Sequence, residues 1–122
     1  MKLKKVVEFE VDDKIAESII KLNNKGFETA MSCSGHPDEE EITPYVMFTR
    51  FVSYGIEYIP FGWIVDERFK ELVIRRFFTD EEKEIFTKEQ LVDIAARELD
   101  NWADTLPEFK NPYQNIIEME VV

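Results

Sequence analysis

The sequence predicts one α+β domain over residues 1–122, with a mostly antiparallel sheet of four to six strands and two main helices on one face. Three observations predict it. Hydrophobic residues make up 44% of the chain, ten of them Phe, against 34% charged residues, a balance typical of a chain with a packed core. Segments with strand-like patterns fill most of the first 78 residues. A long apolar stripe at helical spacing follows in the last third.

The N-terminal third predicts a strand-helix-strand unit. "LKKVVEFEV" contains β-branched and aromatic residues in partial alternation, which predicts a first strand over Leu3–Val11. Ile15, Ile19 and Leu22 then recur at helical spacing, so we expect a helix over about residues 13–25. Asp12 and Asp13 lie at its start, and the carboxylate of either can cap the free amides of the first turn.

The next segments predict further strands. "FETAMSC" indicates a second strand, and we expect it to lie parallel to the first through a right-handed crossover. "YVMFTRF" is almost continuously apolar, which is typical of a central strand. "YGIEYIPFGWIVDE" indicates a hairpin or a bent strand pair, and "KELVIRRFF" one more strand. The pattern leaves the strand order within residues 51–78 open.

The C-terminal third changes to helical periodicity. "TDEE" and "TKEQ" both match the capping-box pattern, in which Thr is followed three residues later by Glu or Gln. The second is the better start, because the apolar stripe begins there, and it predicts a helix over about residues 88–106 that ends before Pro107. "NIIEMEVV" indicates either a closing edge strand or a loose tail.

Charge and cysteine content exclude some functions. The formal net charge is −11 and no segment is strongly basic, so we do not expect a nucleic-acid partner. The N-terminal segment has no long apolar run, so we expect neither a signal peptide nor a membrane partner. One cysteine cannot form an internal disulfide, which favours a reducing cytoplasm. A homodimer is left open.

The stretch "SCSGHP" is the candidate site. It places the single cysteine, Cys33, and the single histidine, His36, on either side of a Ser34-Gly35 turn at the end of the second strand. Gly35 permits a backbone that exposes consecutive amides, and such amides can hold an anion. We therefore expect Cys33, Ser34, Gly35 and His36 to line a pocket for a small molecule or an anion.

Three alternatives stay open at this stage. Cys33 could be a nucleophile activated by His36, which would make the chain a small enzyme. Cys-x-x-His could be part of a metal site completed by carboxylates from residues 38–41 or by a second copy of the chain. The turn could also be purely structural, with Cys33 as a small buried hydrophobe. The sequence assigns no catalytic residue, no metal ligand and no cofactor.

A longer phrase, "KLNNKGFETAMSCSGHPDEEEITPYVMF", resembles a family of small proteins from Gram-positive bacteria and their mobile elements. The family pattern is Leu-Asn-x-Lys-Gly-aromatic-x-Thr, then Cys-x-Gly-His, then an aromatic-rich strand. The matching positions are Leu22, Asn23, Lys25, Gly26, Phe27, Thr29, Cys33, Gly35, His36 and Tyr45 to Phe48. The resemblance covers roughly residues 15–50. It implies a bacterial protein of unknown function.

Residues 32–35 are also similar to the Ser-Cys-Ser-Gly segment of the wybutosine-synthesis methyltransferases of the third-step type. That resemblance implies S-adenosylmethionine as cofactor and tRNA as substrate. Those enzymes are longer and carry Arg where this chain has His36. The acidic balance of the chain also disfavours a tRNA substrate.

Two further groups have binding interpretations. One is a set of aromatic residues that could stack a planar ligand, although packing on the sheet is the favoured interpretation: Tyr54, Tyr58, Phe61 and Trp63. The other is Arg75-Arg76, which could grip a carboxylate or phosphate. Strand neighbours point to opposite faces, so we expect only one of these two arginines to face any given site.

Overall fold

The computed structural model describes residues 6–112 and 114–121, and it confirms the α+β fold. The strands are β1 (Val6–Val11), β2 (Thr29–Cys33), β3 (Tyr45–Phe48), β4 (Trp63–Val65), β5 (Val73–Arg76) and β6 (Ile116–Val121). The helices are α1 (Ala16–Asn24), α2 (Asp80–Ile85) and α3 (Lys88–Thr105), with short 3-10 turns at Asp13–Ile15 and Val52–Gly55. Residues 3–5 of the expected first strand lie outside the described residues.

The main sheet is antiparallel, with the strand order β2-β3-β5-β4. The segment "YVMF" of β3 is internal, as its apolar run predicts, and Val46 and Phe48 on its inner face are fully buried. In the segment for which the sequence left the order open, β4 forms the edge and β5 lies between β3 and β4. Cys33, Tyr45 and Arg75 lie opposite one another across three strands.

The predicted parallel pairing of the first two strands is wrong. β1 pairs with β6 in parallel, from Val6 opposite Ile116 to Val11 opposite Val121, while β2 pairs with β3. The segment before β6 is fixed by buried polar groups: Gln114 Nε2 donates to the carbonyl of Asn23, and the backbone amide of Asn115 donates to the buried carboxylate of Glu28. These bonds direct the C-terminal segment onto β1.

α1 and α3 pack against each other and against the main sheet, as the two apolar stripes predict. Ile19 and Leu22 of α1 and Leu99 of α3 have no exposed surface, and burying each stabilises the fold by about 1.5–3 kcal/mol. The ring of Trp102 meets that of Phe48 edge to face, at 6.3 Å between centroids. No helix in the described part of the chain has the length and apolar character needed to span a membrane.

Lys25 and Gly26 fix the chain where α1 ends, and Lys25 also joins this end to the C-terminal end of α3. Lys25 Nζ donates to the carbonyls of Ala103 (2.6 Å) and Leu106 (2.8 Å), which satisfies groups that a helix end leaves unpaired. Gly26 adopts a φ of +97°, and a Cβ there would lie 1.8 Å from the carbonyl oxygen of Phe109. Glycine is therefore required where α1 turns into the core.

Candidate functional site

The candidate site forms where β1 and β2 end side by side. Asp12 follows the last residue of β1, and Cys33 is the last residue of β2, as the sequence predicts. Because α1 connects these two strands, their C-terminal ends lie close together although they are not paired in one sheet. The site thus combines a residue from the beginning of the chain with the loop at residues 33–37.

The carboxylate of Asp12 is held by the loop. Its Oδ2 accepts hydrogen bonds from the backbone amide of Ser34 (2.9 Å) and from the Ser34 hydroxyl (3.1 Å). Ser34 is buried. Asp12 occupies the N-cap position of the 3-10 turn at Asp13–Ile15, but its side chain turns to Ser34 rather than to the amides of that turn. The carboxylate therefore has a fixed position beside the loop.

Gly35 gives the loop its shape. Its φ is +79°, a conformation that glycine adopts at little cost, and a Cβ there would lie 2.8 Å from Ile42 Cγ2. This conformation directs the amide of Gly35 onto Cys33 Sγ, at 3.4 Å. The loop amides of Ser34 and Gly35 are thus hydrogen-bonded inside the protein.

The thiol, the imidazole and the carboxylate converge. One ligand atom from each of Asp12, Cys33 and His36 can be chosen so that the three atoms lie within 4.8 Å of one another. His36 Nε2 is 3.8 Å from Asp12 Oδ2, with about half of the imidazole side chain exposed. Cys33 is half-buried.

The pKa of the Cys33 thiol is raised, mainly by burial and further by the negative charges of Asp12 and Glu39, although the amide of Gly35 opposes this. A nucleophilic cysteine needs a lowered pKa so that the thiolate is populated near neutral pH. The protein alone therefore keeps Cys33 as a thiol. This disfavours the activated-nucleophile alternative.

An open cleft of about 280 Å³ is lined by two of these three residues, Asp12 and His36. Three of the four predicted ligand-binding residues, Ser34, Gly35 and His36, line it, whereas Cys33 is not part of the lining. The rest of the lining is Asp13 and Lys14 of the 3-10 turn, Pro37 of the loop, and Glu89 and Val92 of α3. The cleft is thus a space between the loop and two helical elements.

The acidic run at residues 38–41 has other partners. Glu41 pairs with Lys83 at 3.0 Å, and the carbonyl of Glu39 accepts from Lys88 Nζ. The carboxylate that joins Cys33 and His36 comes from Asp12 instead. From the sequence alone, Asp12 is predicted only as a helix cap. The order of the elements could have indicated Asp12, because the connection through α1 brings the residue after β1 next to the end of β2.

Arg75 and Arg76 point to opposite faces, as strand geometry predicts. Arg75 pairs with buried Asp66 at 2.9 Å, and Arg76 is buried between Glu82 (2.7 Å) and Glu98 (3.0 Å). Both guanidinium groups therefore bind carboxylates of this chain.

The four aromatic residues are dispersed. Trp63 is buried and Tyr58 donates to the Thr105 hydroxyl, whereas Phe61 and Tyr54 are exposed. They do not form a common stack.

Comparison with known proteins gives no further assignment. No protein-family model, no curated protein and no solved structure matches this chain. The resemblance around residues 15–50 stays a prediction.

Proposed function

We propose that this chain binds a divalent transition-metal ion through Asp12, Cys33 and His36, and that the bound ion receives a small-molecule ligand from the adjacent cleft. The observation that carries this proposal is the approach of three different ligand atoms to within 4.8 Å of one another. In a tetrahedral zinc site, neighbouring ligand atoms are about 3.3–3.8 Å apart. To reach that spacing, the three atoms would need to approach one another by at most about 1.5 Å.

The types of ligand favour zinc. Thiolate and imidazole are the ligands that zinc sites use most, and a carboxylate can complete a set of three. Calcium and magnesium select oxygen ligands and would leave the sulfur and nitrogen unused. The hydrogen bonds from Ser34 to Asp12 are the kind of support that holds a ligating carboxylate in place.

The same contacts favour a cation over an anion at this loop. An anion would need the amides of Ser34 and Gly35, but these already donate to Asp12 and Cys33. A carboxylate at the centre of the site would also repel an anion directly. A metal ion makes use of the carboxylate, and an anionic or neutral small molecule can then bind the ion from the cleft.

A metal-assisted enzyme is the second candidate function. Zinc with three protein ligands keeps a fourth position for water or substrate, which is the arrangement of catalytic zinc sites. The observation that favours it is the open cleft lined by Asp12 and His36, from which a water or substrate molecule would reach that position. The remaining expectations fit either function: a reducing cytoplasm keeps Cys33 free to ligate, and the net charge of −11 disfavours nucleic acid. A homodimer stays a prediction.

Metal titration tests the proposal. The chelator-treated protein should bind one Zn²⁺ per chain in calorimetry, and Co²⁺ should produce the absorption of a thiolate-cobalt bond. Cys33→Ser, His36→Ala and Asp12→Asn should each weaken Zn²⁺ binding by about tenfold or more. Asp13→Asn removes a carboxylate that lines the same cleft but does not belong to the cluster of three ligand atoms, and it is the matched control, with affinity unchanged.

Two outcomes would contradict the proposal. One is the absence of a cobalt-thiolate band. The other is equal Zn²⁺ affinity in Asp12→Asn and Asp13→Asn. The open coordination position is tested separately with acetohydroxamate, a small metal ligand, which should bind the zinc form and not the metal-free form.

A further inference from the structure

A second cavity lies at the opposite end of the main sheet, where β3 ends and β5 begins. Its volume is about 430 Å³, within the size range of small-molecule sites, about 300–1,000 Å³. One wall is residues 49–54, which follow β3, and the other is residues 70–72, which precede β5. Phe48 N donates to the carbonyl of Leu72 at 2.9 Å, so the sheet holds the two walls together.

The cavity is cationic in an acidic protein. Arg50 and Lys70 line it, and within the described residues neither forms an ion pair with a carboxylate. Glu71 is the acidic side chain in the lining. By contrast, Arg75, Arg76 and Lys21 each pair with acids of this chain. Two cations facing one cavity without internal carboxylate partners leave charge available for an anionic group.

The same wall carries stacked aromatic rings. Tyr54 lies nearly parallel to Phe51, with 6.2 Å between ring centroids and 23° between planes. The Arg50 guanidinium lies 4.8 Å from the Phe51 ring centroid on this wall. Tyr54 is 82% exposed, so its ring has room for a further planar partner.

The backbone of this wall is strained. Phe51 adopts a φ of +76°, a left-handed conformation that a bulky residue rarely takes. It is held there by the turn that follows, in which Tyr54 N donates to the Phe51 carbonyl at 3.1 Å. Such strain persists where the surrounding structure fixes it, and it is concentrated at binding sites.

We propose that this cavity binds a small molecule that combines a flat aromatic ring with an anionic group, either a phosphate or a carboxylate. The ring stacks on Tyr54, and the anionic group is held between Arg50 and Lys70. The site is independent of the metal site, which lies at the other end of β3, so it is tested on metal-free protein.

Two probes represent the two anionic groups: adenosine 5′-monophosphate and 1-naphthoate. At least one should bind with a Kd of about 1 mM or tighter and shift the amide resonances of residues 49–54 and 70–72. Arg50→Gln and Lys70→Gln should each weaken that binding by about three- to tenfold. Arg97→Gln removes an exposed arginine of α3 and is the matched control, with affinity unchanged.

The ring contact is tested at Tyr54. Tyr54→Ala should weaken binding while Tyr54→Phe retains it, because the stacking surface is the ring and not the hydroxyl. Tyr54 is exposed, so neither variant disturbs the core.

Several results would overturn the proposal. One is that neither probe shows binding at a probe concentration of about 10 mM. Another is binding that is as weak in Arg97→Gln as in Arg50→Gln. If adenosine binds as tightly as adenosine 5′-monophosphate, the anionic group does not contribute to binding. If inorganic phosphate binds as tightly as the monophosphate, the ring does not contribute to binding.

Discussion

Ser32 and Ser34 lie two residues apart and have opposite hydrogen-bonding states. The hydroxyl of Ser34 donates to the Asp12 carboxylate, while the buried hydroxyl of Ser32 has no hydrogen-bond partner within residues 6–112 and 114–121. An unpaired buried hydroxyl costs stability, whereas a hydrogen bond to a charged group contributes it.

We predict that Ser32→Ala leaves the free energy of unfolding unchanged or raises it, because the substitution removes an unpaired polar atom. Ser34→Ala should lower it by about 1–2 kcal/mol, because the Asp12 carboxylate loses a donor. Urea denaturation of both variants in chelator-treated buffer makes the comparison. Equal losses of stability in the two variants would show that the hydroxyls do not differ in this way.

Gly35 supports a second prediction at this scale. Gly35→Val should lower the free energy of unfolding by about 2 kcal/mol or more, a larger loss than in Ser34→Ala. The substitution forces a β-branched residue to a φ of +79° and places a Cβ within 2.8 Å of Ile42. Urea denaturation measures the free energy of unfolding of each variant. Zn²⁺ calorimetry measures whether the loop still places Cys33 and His36 for metal binding. Equal behaviour of the two variants would mean that glycine is not required at this turn.

At the residue scale, the sequence identified the loop but not the whole site. Cys33 and His36 were conspicuous because each is the only residue of its type. Asp12 was one of 26 acidic residues, and nothing in its local pattern set it apart from Asp13. Its role depends on a hydrogen bond to Ser34 across 22 residues, and such a contact leaves no local sequence signal.

Among the helices, α2 differs in how it is held. None of its six residues, all described, is buried. It is fixed by its capping box at Thr79 and by polar contacts, of which the pair between Glu82 and buried Arg76 is the closest at 2.7 Å. Arg76 and the backbone amide of Thr79 lower the pKa of Glu82 to about 2.

This lowered pKa predicts a pH dependence. A folded-state pKa below the unfolded value, about 4.3, gives stability that is fully present above that value and is lost as the pH falls toward 2. Glu82→Gln should therefore lower the free energy of unfolding by about 1 kcal/mol at pH 7, and the difference from the parent should shrink below pH 4. Gln retains the capping-box hydrogen bond, so the substitution isolates the charge.

Urea denaturation at several pH values checks this prediction. Glu81→Gln, on the exposed side of the same turn, is the control and should have little effect at any pH. A Glu82→Gln penalty that is the same at pH 7 and pH 3 would show that the ion pair is not its source.

The contrast between α2 and α3 shows which helices the hydrophobic periodicity of the sequence can predict. α3 buries one side against the core, so its apolar stripe gives its bounds almost to the residue. α2 buries nothing, so it has no stripe, and its capping box was the sole local signal. β4 has three residues, of which Ile64 and Val65 are exposed, and alternation cannot define so short an edge strand.

On the scale of the whole molecule, the two ends of the described chain meet in β1 and β6. Their parallel pairing requires the rest of the fold to act as the connection between them. Local patterns predicted the strand β1 but left "NIIEMEVV" open between an edge strand and a loose tail. Pairing between residues more than 100 positions apart depends on the assembled core and on the anchors at Gln114 and Asn115.

We predict that a chain ending at Gln114 is less stable than the full chain by about 3 kcal/mol or more, because β1 loses its partner and Glu28 loses the donors of Asn115. Glu28→Gln in the full chain keeps β6 and should cost less, about 1 kcal/mol. Urea denaturation measures both. An unchanged midpoint in the shortened chain would mean that β6 does not contribute to the fold.

The parallel pair has a mechanical consequence. β1 and β6 run in the same direction in register over six residues, so Val6 and Val121 lie at opposite ends of the ladder. Tension applied between these two residues pulls the strands past each other, and the hydrogen bonds share the load in shear instead of opening one by one. When the protein is stretched in this way, the hydrogen bonds between β1 and β6 must break before the helices and the main sheet come under load.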